Sequence, residues 1–214
     1  MRVFDSRNDA GQRLARALYA YRGRDPLVLA IPRGAVAMAA VVAAELEGEL
    51  DVVLVRKLRA PGSPEFAVGA VDETGWTYIA PYAAEVGADA VYLARERRAE
   101  LEVLRKRRGK YTPGRGSIDP AGRVVIVVDD GIATGATMIA ALHAVRVRGP
   151  ARLVCAVPVA APDSLRQVRS YADETVCLET PESFHAVGQF YREFPQVDDE
   201  EVVALLAERR KMTA

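Results

Sequence analysis

The sequence feature that most restricts the fold is an apolar run that ends in two carboxylates and a loop of small residues. Residues 124–128 read Val-Val-Ile-Val-Val, which predicts a strand buried on both faces, as in a parallel sheet. Asp129 and Asp130 follow directly, and an apolar-periodic helix is predicted over about 138–147. Ligands of open α/β sheets bind outside the carboxyl ends of the strands, so this junction is a candidate binding site.

The loop between this strand and the helix has the composition of a phosphate-binding site. The helix turns unpaired N–H groups and a positive partial charge of about half an elementary charge toward the loop. The segment has neither the Lys-Ser or Lys-Thr end of a Walker A loop nor a Gly-x-Gly-x-x-Gly pattern, which argues against nucleoside triphosphates and dinucleotides. The small side chains, which let a ligand approach the backbone, are those of Ala133, Thr134, Gly135, Ala136 and Thr137.

The two carboxylates complement this loop chemically. Ionised carboxylates only accept hydrogen bonds, so Asp129 and Asp130 suit vicinal hydroxyl groups and would repel a triphosphate. A sugar monophosphate with free hydroxyls satisfies both halves of the segment. A simpler interpretation is a strand-end turn in which Thr137 only caps the helix.

Residues 125–137, Val-Ile-Val-Val-Asp-Asp-Gly-Ile-Ala-Thr-Gly-Ala-Thr, resemble the phosphoribosyl-pyrophosphate (PRPP) loop of type I phosphoribosyltransferases. The resemblance implies that Asp129 and Asp130 hold the ribose 2′- and 3′-hydroxyls. It also implies that Gly131 and the loop of small residues from Ala133 to Thr137 hold the 5′-phosphate. The strand, loop and helix stand in the order that the motif requires.

The rest of the chain predicts an α/β fold: a doubly wound, mostly parallel sheet flanked by helices, with a small hood and a flexible loop or hairpin. We expect one domain over 1–214, with its core at about 27–178 and the hood formed by the N- and C-terminal segments. Further strands are predicted at 27–31, 50–55, 151–157 and 174–178, and helices at 5–21, 36–46, 90–108, 162–171 and 198–210.

A turn after the first predicted strand provides a second candidate subsite. Pro32-Arg33-Gly34-Ala35 resembles the family's pyrophosphate loop, so Arg33 and Gly34 are expected to bind pyrophosphate. Gly34 is the residue that accepts a strained or left-handed backbone most readily. The alternative is an ordinary turn between a strand and a helix.

A basic segment follows the second predicted strand. Arg56 and Lys57 precede a Pro- and Gly-rich stretch over 58–66, which predicts a mobile loop that excludes water from the site. The resemblance places the family's flexible catalytic loop here, with both residues at the pyrophosphate and Glu65 as a candidate general base. The alternative is a solvated basic turn. A hairpin is predicted around 72–75.

The segment Phe184-His185-Ala186-Val187-Gly188 resembles the one with which purine-type enzymes stack the acceptor base. Phe184, His185 and Val187 are therefore expected at the acceptor, and His185 is a second candidate base. Alternatively, Phe184 belongs to the core and His185 is exposed. Ala133 and Pro158-Val159 stand where hypoxanthine-type enzymes carry an Asp and a Lys, which argues against hypoxanthine or guanine.

The resemblance implies PRPP-dependent transfer of a 5-phosphoribosyl group to a nitrogenous base or related small-molecule acceptor, with release of pyrophosphate. Lys57, Arg33 and the two aspartates would serve catalysis, with Mg²⁺ held through substrate oxygens and water and no direct protein ligand. The alternative from another class is a non-catalytic regulator that binds PRPP. A hydrolase is disfavoured because no Gly-x-Ser-x-Gly elbow is present.

The charge and hydropathy of the sequence restrict the classes of partner that we expect. The 29 basic and 29 acidic residues cancel, which gives no electrostatic basis for binding nucleic acid or an anionic membrane. No signal core or membrane-spanning run is present, so we expect a cytoplasmic protein. Cys155 and Cys177 are interpreted as buried apolar residues. The charged helix predicted over 90–108 suggests a solvated face or the edge of a homodimer.

Overall fold

The computed structural model describes residues 3–114 and 116–213, without the side chains of Pro64, Glu65 and residues 209–213. In chain order, the helices and strands are α1 (Arg7–Ala17), β1 (Leu27–Ala30), α2 (Ala35–Glu45), β2 (Glu49–Val52), β3 (Val55–Ala60), β4 (Ser63–Asp72), β5 (Thr77–Ile79), α3 (Ala90–Tyr111), β6 (Val124–Val128), α4 (Ala136–Arg146), β7 (Arg152–Val159), α5 (Pro162–Val168), β8 (Glu174–Glu179) and α6 (Asp199–Thr213).

Five parallel strands form the central sheet in the order β2-β1-β6-β7-β8. The chain leaves β1 toward one edge of the sheet and leaves β6 toward the other, so the two halves diverge between these neighbouring strands. Such a switch point opens a crevice at the carboxyl ends of the strands. The predicted doubly wound α/β fold is confirmed.

The sheet is buried on both faces, as the apolar run 124–128 predicts. Val125 and Val127 belong to a core that α4 and α5 cover, whereas Ile126 and Val128 belong to a core beneath α1, α2 and α6. The alternation follows from the period of two in a strand, and it explains why every β6 position needs an apolar side chain. Strand β6 has the predicted bounds.

A second sheet of three antiparallel strands, β3-β4-β5, inserts between β2 and β6. The prediction of a loop over 58–66 is wrong, because β3 and β4 pair up to Ala60 opposite Ser63 and leave only a two-residue turn. Gly62 in that turn has φ of 71°. Leu58 and Ala60 are buried, so packing overrides the loop signal of the Pro and Gly residues. The hairpin predicted around 72–75 joins β4 to β5.

Two predicted bounds shift for local reasons. The strand predicted over 50–55 ends at Val52, and Val55 already opens the second sheet. Helix α4 begins two residues before the predicted 138, because Gly135 caps it with a left-handed backbone. The ends of the helices predicted over 5–21 and 162–171 are short 3₁₀ turns.

Helix α3 is more than a solvated face. Glu100 on this helix is buried and accepts hydrogen bonds from Arg56 and Arg59 of β3. Arg108 pairs with Glu73 at 2.6 Å. The charged side chains of α3 therefore attach it to the second sheet, and a homodimer edge on this helix stays a prediction.

The N- and C-terminal segments pair with each other over the central sheet. Phe4 N–H donates to the Phe190 carbonyl at 2.9 Å, and the rings of Phe4 and Tyr191 lie 5.4 Å apart. This pairing brings the start of α1 near the carboxyl end of β6. The division into a core over 27–178 and a hood from the termini stays a prediction. None of the helices in the described residues is long and apolar enough to span a membrane.

Candidate functional site

The acid pair and the Pro32–Gly34 turn lie side by side because β1 and β6 are parallel neighbours with Ala30 paired to Val128. A cavity of about 260 Å³ opens where these segments meet. It collects residues from β3, α4 and the loops after β1 and β6, with one from the C-terminal segment. The lining residues are Ile31, Pro32, Arg33, Gly34, Lys57, Asp129, Asp130, Gly131, Ile132, Ala133, Thr134, Gly135, Thr137, Met138 and Val187.

Hydrogen bonds hold both acidic residues in place. Asp129 Oδ1 accepts from the Asp130 N–H at 2.9 Å. Asp130 Oδ2 accepts from Nε of Arg7 at 3.0 Å, and the Tyr191 hydroxyl donates to the Asp130 carbonyl at 2.7 Å. The pair is thus fixed by the N-terminal helix on one side and by the C-terminal segment on the other.

Two opposing effects act on the pKa values of the acids. Burial, with the neighbouring charge of Asp130, raises the pKa of Asp129 well above its usual value. Burial also raises the pKa of Asp130, while the Arg7 guanidinium and, to a smaller extent, Lys57 lower it. Two cations thus partly offset the repulsion between two desolvated carboxylates. Hydroxyl donors from a ligand would stabilise the ionised forms further.

Hydrogen bonds to β7 and α5 hold the loop after the acids in place. Ile132 N–H donates to the Val159 carbonyl at 2.9 Å, and the Ser164 hydroxyl donates to the Ala133 carbonyl at 2.6 Å. Gly135, with φ of 83°, turns the chain into α4. The first N–H groups of a helix lack partners within it, so those of α4 are available at the cavity as hydrogen-bond donors to an anion.

Gly34 is required for steric reasons. Its φ of −56° is ordinary helical backbone, so its capacity for a left-handed conformation is not used. A Cβ on Gly34 would lie 2.2 Å from Asp130 Oδ2 and 3.0 Å from Nη2 of Arg7. The turn must therefore lack a side chain for the acid pair to sit against it. The adjoining Pro32–Arg33 peptide bond is cis.

Two basic side chains line the cavity together with the acids. Lys57 is exposed on β3, and its charge lowers the pKa of both aspartates. Arg33 is 41% exposed, with Nη1 4.0 Å from Asp199 Oδ1. Both side chains are thus accessible to an anionic ligand.

Arg56, by contrast, does not line the cavity, which corrects its expected place at the pyrophosphate. Adjacent strand residues face opposite ways, so Arg56 points to α3 and donates to Glu100 at 2.5 Å, while Lys57 faces the site. Ala136 is buried behind the loop. The side chain of Glu65 lies outside the described residues.

The three residues that the sequence predicts at the acceptor lie in different places. Val187 reaches the cavity. Phe184 packs on Phe190 with 5.2 Å between ring centroids, and His185 is exposed with Nε2 3.4 Å from the Ser183 hydroxyl oxygen. Neither Phe184 nor His185 lines the cavity, so this arrangement follows the alternative interpretation of the segment.

Sequence reasoning missed Arg7 and Tyr191. Arg7 lies 123 positions from Asp130, and nothing around it suggests a link to the acid pair. Tyr191 follows the segment 184–188 that the sequence predicts at the acceptor, but its hydroxyl donates to the Asp130 carbonyl. Only the folded chain brings these residues together.

Comparison with known proteins assigns the chain to a family. A family model described as "Phosphoribosyl transferase domain" matches residues 5–195. Two Mycobacterium tuberculosis proteins, MT0597 (strain CDC 1551 / Oshkosh) and Rv0571c (strain H37Rv), have names that contain the words phosphoribosyl transferase. Each is 44% identical over 207 residues, which is 96% of this chain and 47% of the relative. The chain therefore spans about half the length of these curated relatives.

Solved structures match the fold over most of the chain. TT1426 from Thermus thermophilus has a TM-score of 0.81 at 50% identity, and the match covers 97% of this chain and 99% of that protein. AQ2163 from Aquifex aeolicus has a TM-score of 0.54 at 10% identity, covering 85% of this chain and 78% of its own, which shows the fold alone.

Proposed function

The chain belongs to the phosphoribosyl transferase family, and from this premise we propose that it transfers the 5-phosphoribosyl group of PRPP to a nitrogenous base or related acceptor. Pyrophosphate is the leaving group. The observation that carries the proposal is the cavity in which Asp129, Asp130, the N-terminus of α4 and Lys57 meet. Each of these groups matches one part of PRPP in charge and hydrogen-bonding capacity.

The ribose is proposed to lie at the acid pair. Asp129 and Asp130 accept hydrogen bonds from its 2′- and 3′-hydroxyls, which are strongest when the carboxylates are ionised. The 5′-phosphate lies at the loop from Ala133 to Thr137, where backbone N–H groups and the positive end of α4 stabilise its charge. Between the two subsites, the missing side chain of Gly131 leaves room for Val187, which a Cβ there would approach to 2.7 Å.

The pyrophosphate is proposed to lie between the turn at Arg33-Gly34 and Lys57. As the C1–O bond breaks, the electron pair leaves with the pyrophosphate oxygen, and the acceptor nitrogen forms the new bond to C1. Lys57 and Arg33 stabilise the charge that develops on the leaving group. Catalysis then consists mainly of positioning and charge neutralisation.

The site suits Mg²⁺ that arrives with the substrate. Within the described residues no group of three or more His, Cys, Asp or Glu side chains could hold a metal ion. Mg²⁺ keeps several waters and binds readily through phosphate oxygens, so it would be held by the pyrophosphate and water. When bound, it would neutralise part of the pyrophosphate charge.

The acceptor is proposed to enter on the side of Val187. Glu65 stays the candidate general base. A cytoplasmic location and a homodimer stay predictions from the sequence, as does the absence of nucleic-acid and membrane partners.

The proposal is tested with Mg-PRPP and a panel of nitrogenous bases, with pyrophosphate release as the readout. Thermal unfolding with Mg-PRPP measures binding independently, because a ligand at a hundred times its Kd adds about 2.7 kcal/mol to the free energy of unfolding. Binding without pyrophosphate release for any acceptor would favour the regulator. Failure to bind PRPP would overturn both functions.

A further inference from the structure

Arg7, at the first residue of α1, makes an unusual set of contacts for a residue that does not line the cavity. Its Nε and Nη2 atoms both lie 3.0 Å from Asp130 Oδ2. Nη1 donates to the Pro195 carbonyl at 2.7 Å. The guanidinium carbon lies 3.7 Å from the centre of the Phe194 ring. The side chain is only 10% exposed.

These contacts fix Arg7 from three directions. The backbone of α1 holds one end of the side chain, where Ser6 caps the helix by accepting from the Asp9 N–H. Phe194 supports the flat face of the guanidinium, and Pro195 takes a further donor. A planar guanidinium held in this way has little freedom to rotate, so its Nε and Nη2 donors stay directed at Asp130.

The carboxylate that Arg7 contacts is confined by the opposite wall as well. Gly34 lies so close to Asp130 Oδ2 that even a methyl group there would overlap it. Oδ2 is thereby committed to Arg7, and Oδ1 is the oxygen left for a hydroxyl of the ligand. The side chain of Asp130 is 18% exposed, so water competes weakly with the contact.

We propose that Arg7 is a positioning residue for ribose binding, which acts through Asp130 by holding one carboxylate oxygen and aiming the other at the sugar hydroxyls. The inference rests on the proposed function and deepens it. Because Arg7 also binds Phe194 and Pro195, the same contact ties the C-terminal segment to the sugar site.

The charge of Arg7 has a consequence for pH. Asp130 is faced by Asp129 on its own segment, Arg7 from α1, Lys57 from β3 and Tyr191 from the C-terminal segment. Burial raises the pKa of Asp130, and the positive charge of Arg7 is the largest effect against that rise. Removing this charge raises the pKa further, so Asp130 gains a proton and loses acceptor capacity at a higher pH than in the wild type.

The test compares Arg7→Gln, Arg7→Lys and the control Arg13→Gln for Mg-PRPP binding by calorimetry across pH. Arg13 lies on the same helix and pairs with Asp9 at 2.9 Å in a far more exposed setting. At each pH the ratio of variant to wild-type Kd removes the titration of the ligand itself. We expect the ratio for Arg7→Gln to grow by at least about tenfold as pH falls, since loss of an adjacent opposite charge shifts a carboxyl pKa by about 1–3 units.

In Arg7→Lys the charge remains and the ratio should stay nearly independent of pH, and Arg13→Gln should match the wild type throughout. An equal loss at every pH for Arg7→Gln, or no loss, would show a merely structural contact and overturn the inference. If Arg7→Gln does not fold, Phe194→Leu takes its place; it loosens the guanidinium but keeps its charge, so the criterion becomes the ligand. It should weaken ribose 5-phosphate binding more than Mg-pyrophosphate binding, and equal losses or no loss would overturn the inference. A wild-type protein that binds no PRPP would instead refute the proposed function, and the inference with it.

Discussion

Replacement of Gly34 by Ala separates the two roles that a glycine in this turn could have. The backbone at Gly34 is helical, with φ of −56° and ψ of −37°, so alanine adopts it without strain. If the space around Gly34 were open, the substitution would therefore stabilise the protein by about 0.4–1 kcal/mol through the unfolded chain. The structure points to the opposite result.

The added methyl group would lie 2.2 Å from Asp130 Oδ2. The carboxylate must then move by about 1 Å to reach an ordinary contact distance. Overpacking of this kind costs about 1–3 kcal/mol, so we expect a net destabilisation of about 1 kcal/mol. The larger effect falls on PRPP, because a lost hydrogen bond to a charged group costs about 1.5–3 kcal/mol, which corresponds to roughly tenfold to a hundredfold in Kd.

Urea unfolding measures the stability, and calorimetry with Mg-PRPP measures the affinity. Gly109 provides the matched control, since a Cβ there meets nothing within 4 Å and the residue lies inside α3. Gly109→Ala should stabilise the protein by up to about 1 kcal/mol through helix propensity and leave the affinity unchanged. If Gly34→Ala also stabilised the fold and kept wild-type affinity, the close contact between this turn and the acid pair would be refuted.

Other substitutions probe the remaining subsites. Asp129→Asn with Asp130→Asn should abolish PRPP binding by calorimetry while circular dichroism shows an intact fold, and retained affinity would contradict the ribose assignment. Lys57→Ala should lower the rate of pyrophosphate release far more than it weakens ribose 5-phosphate binding, since its partner is the leaving group; equal losses would remove Lys57 from that role. Gly135→Ala should destabilise the fold in urea by about 1–2 kcal/mol, because φ of 83° is unfavourable for alanine, and should weaken phosphate binding.

The central part of the site could be predicted because its information is local. The apolar run of β6, the acids at its end and the loop of small residues before α4 are contiguous, so pattern and turn chemistry suffice. The Arg33–Gly34 turn could be predicted for the same reason. Its steric cause could not, since it depends on a neighbouring strand.

The errors arose where tertiary packing decides. Pro and Gly around residue 62 signal a loop, but burial of Leu58 against the rest of the protein makes a hairpin. Once β3 is a strand, the alternation of side chains gives Arg56 to α3 and Lys57 to the cavity. A chain read as a loop has no such alternation, so both residues were expected at the pyrophosphate.

The acid pair shows why the site needs distant contacts at all. Burial raises the pKa of Asp129 in the folded protein above its unfolded value, so its ionisation opposes folding as pH rises through the folded pKa. The stability that the proton supplies is present at low pH and is lost as pH rises to the folded pKa, whereas the proposed ribose contact favours the ionised form. Lys57 and Arg7 lower the pKa of both acids, and thus reduce this cost before any ligand arrives. Since Arg7 comes from the N-terminal helix and is braced by Phe194, the ionised state of the site depends on the pairing of the two ends of the chain.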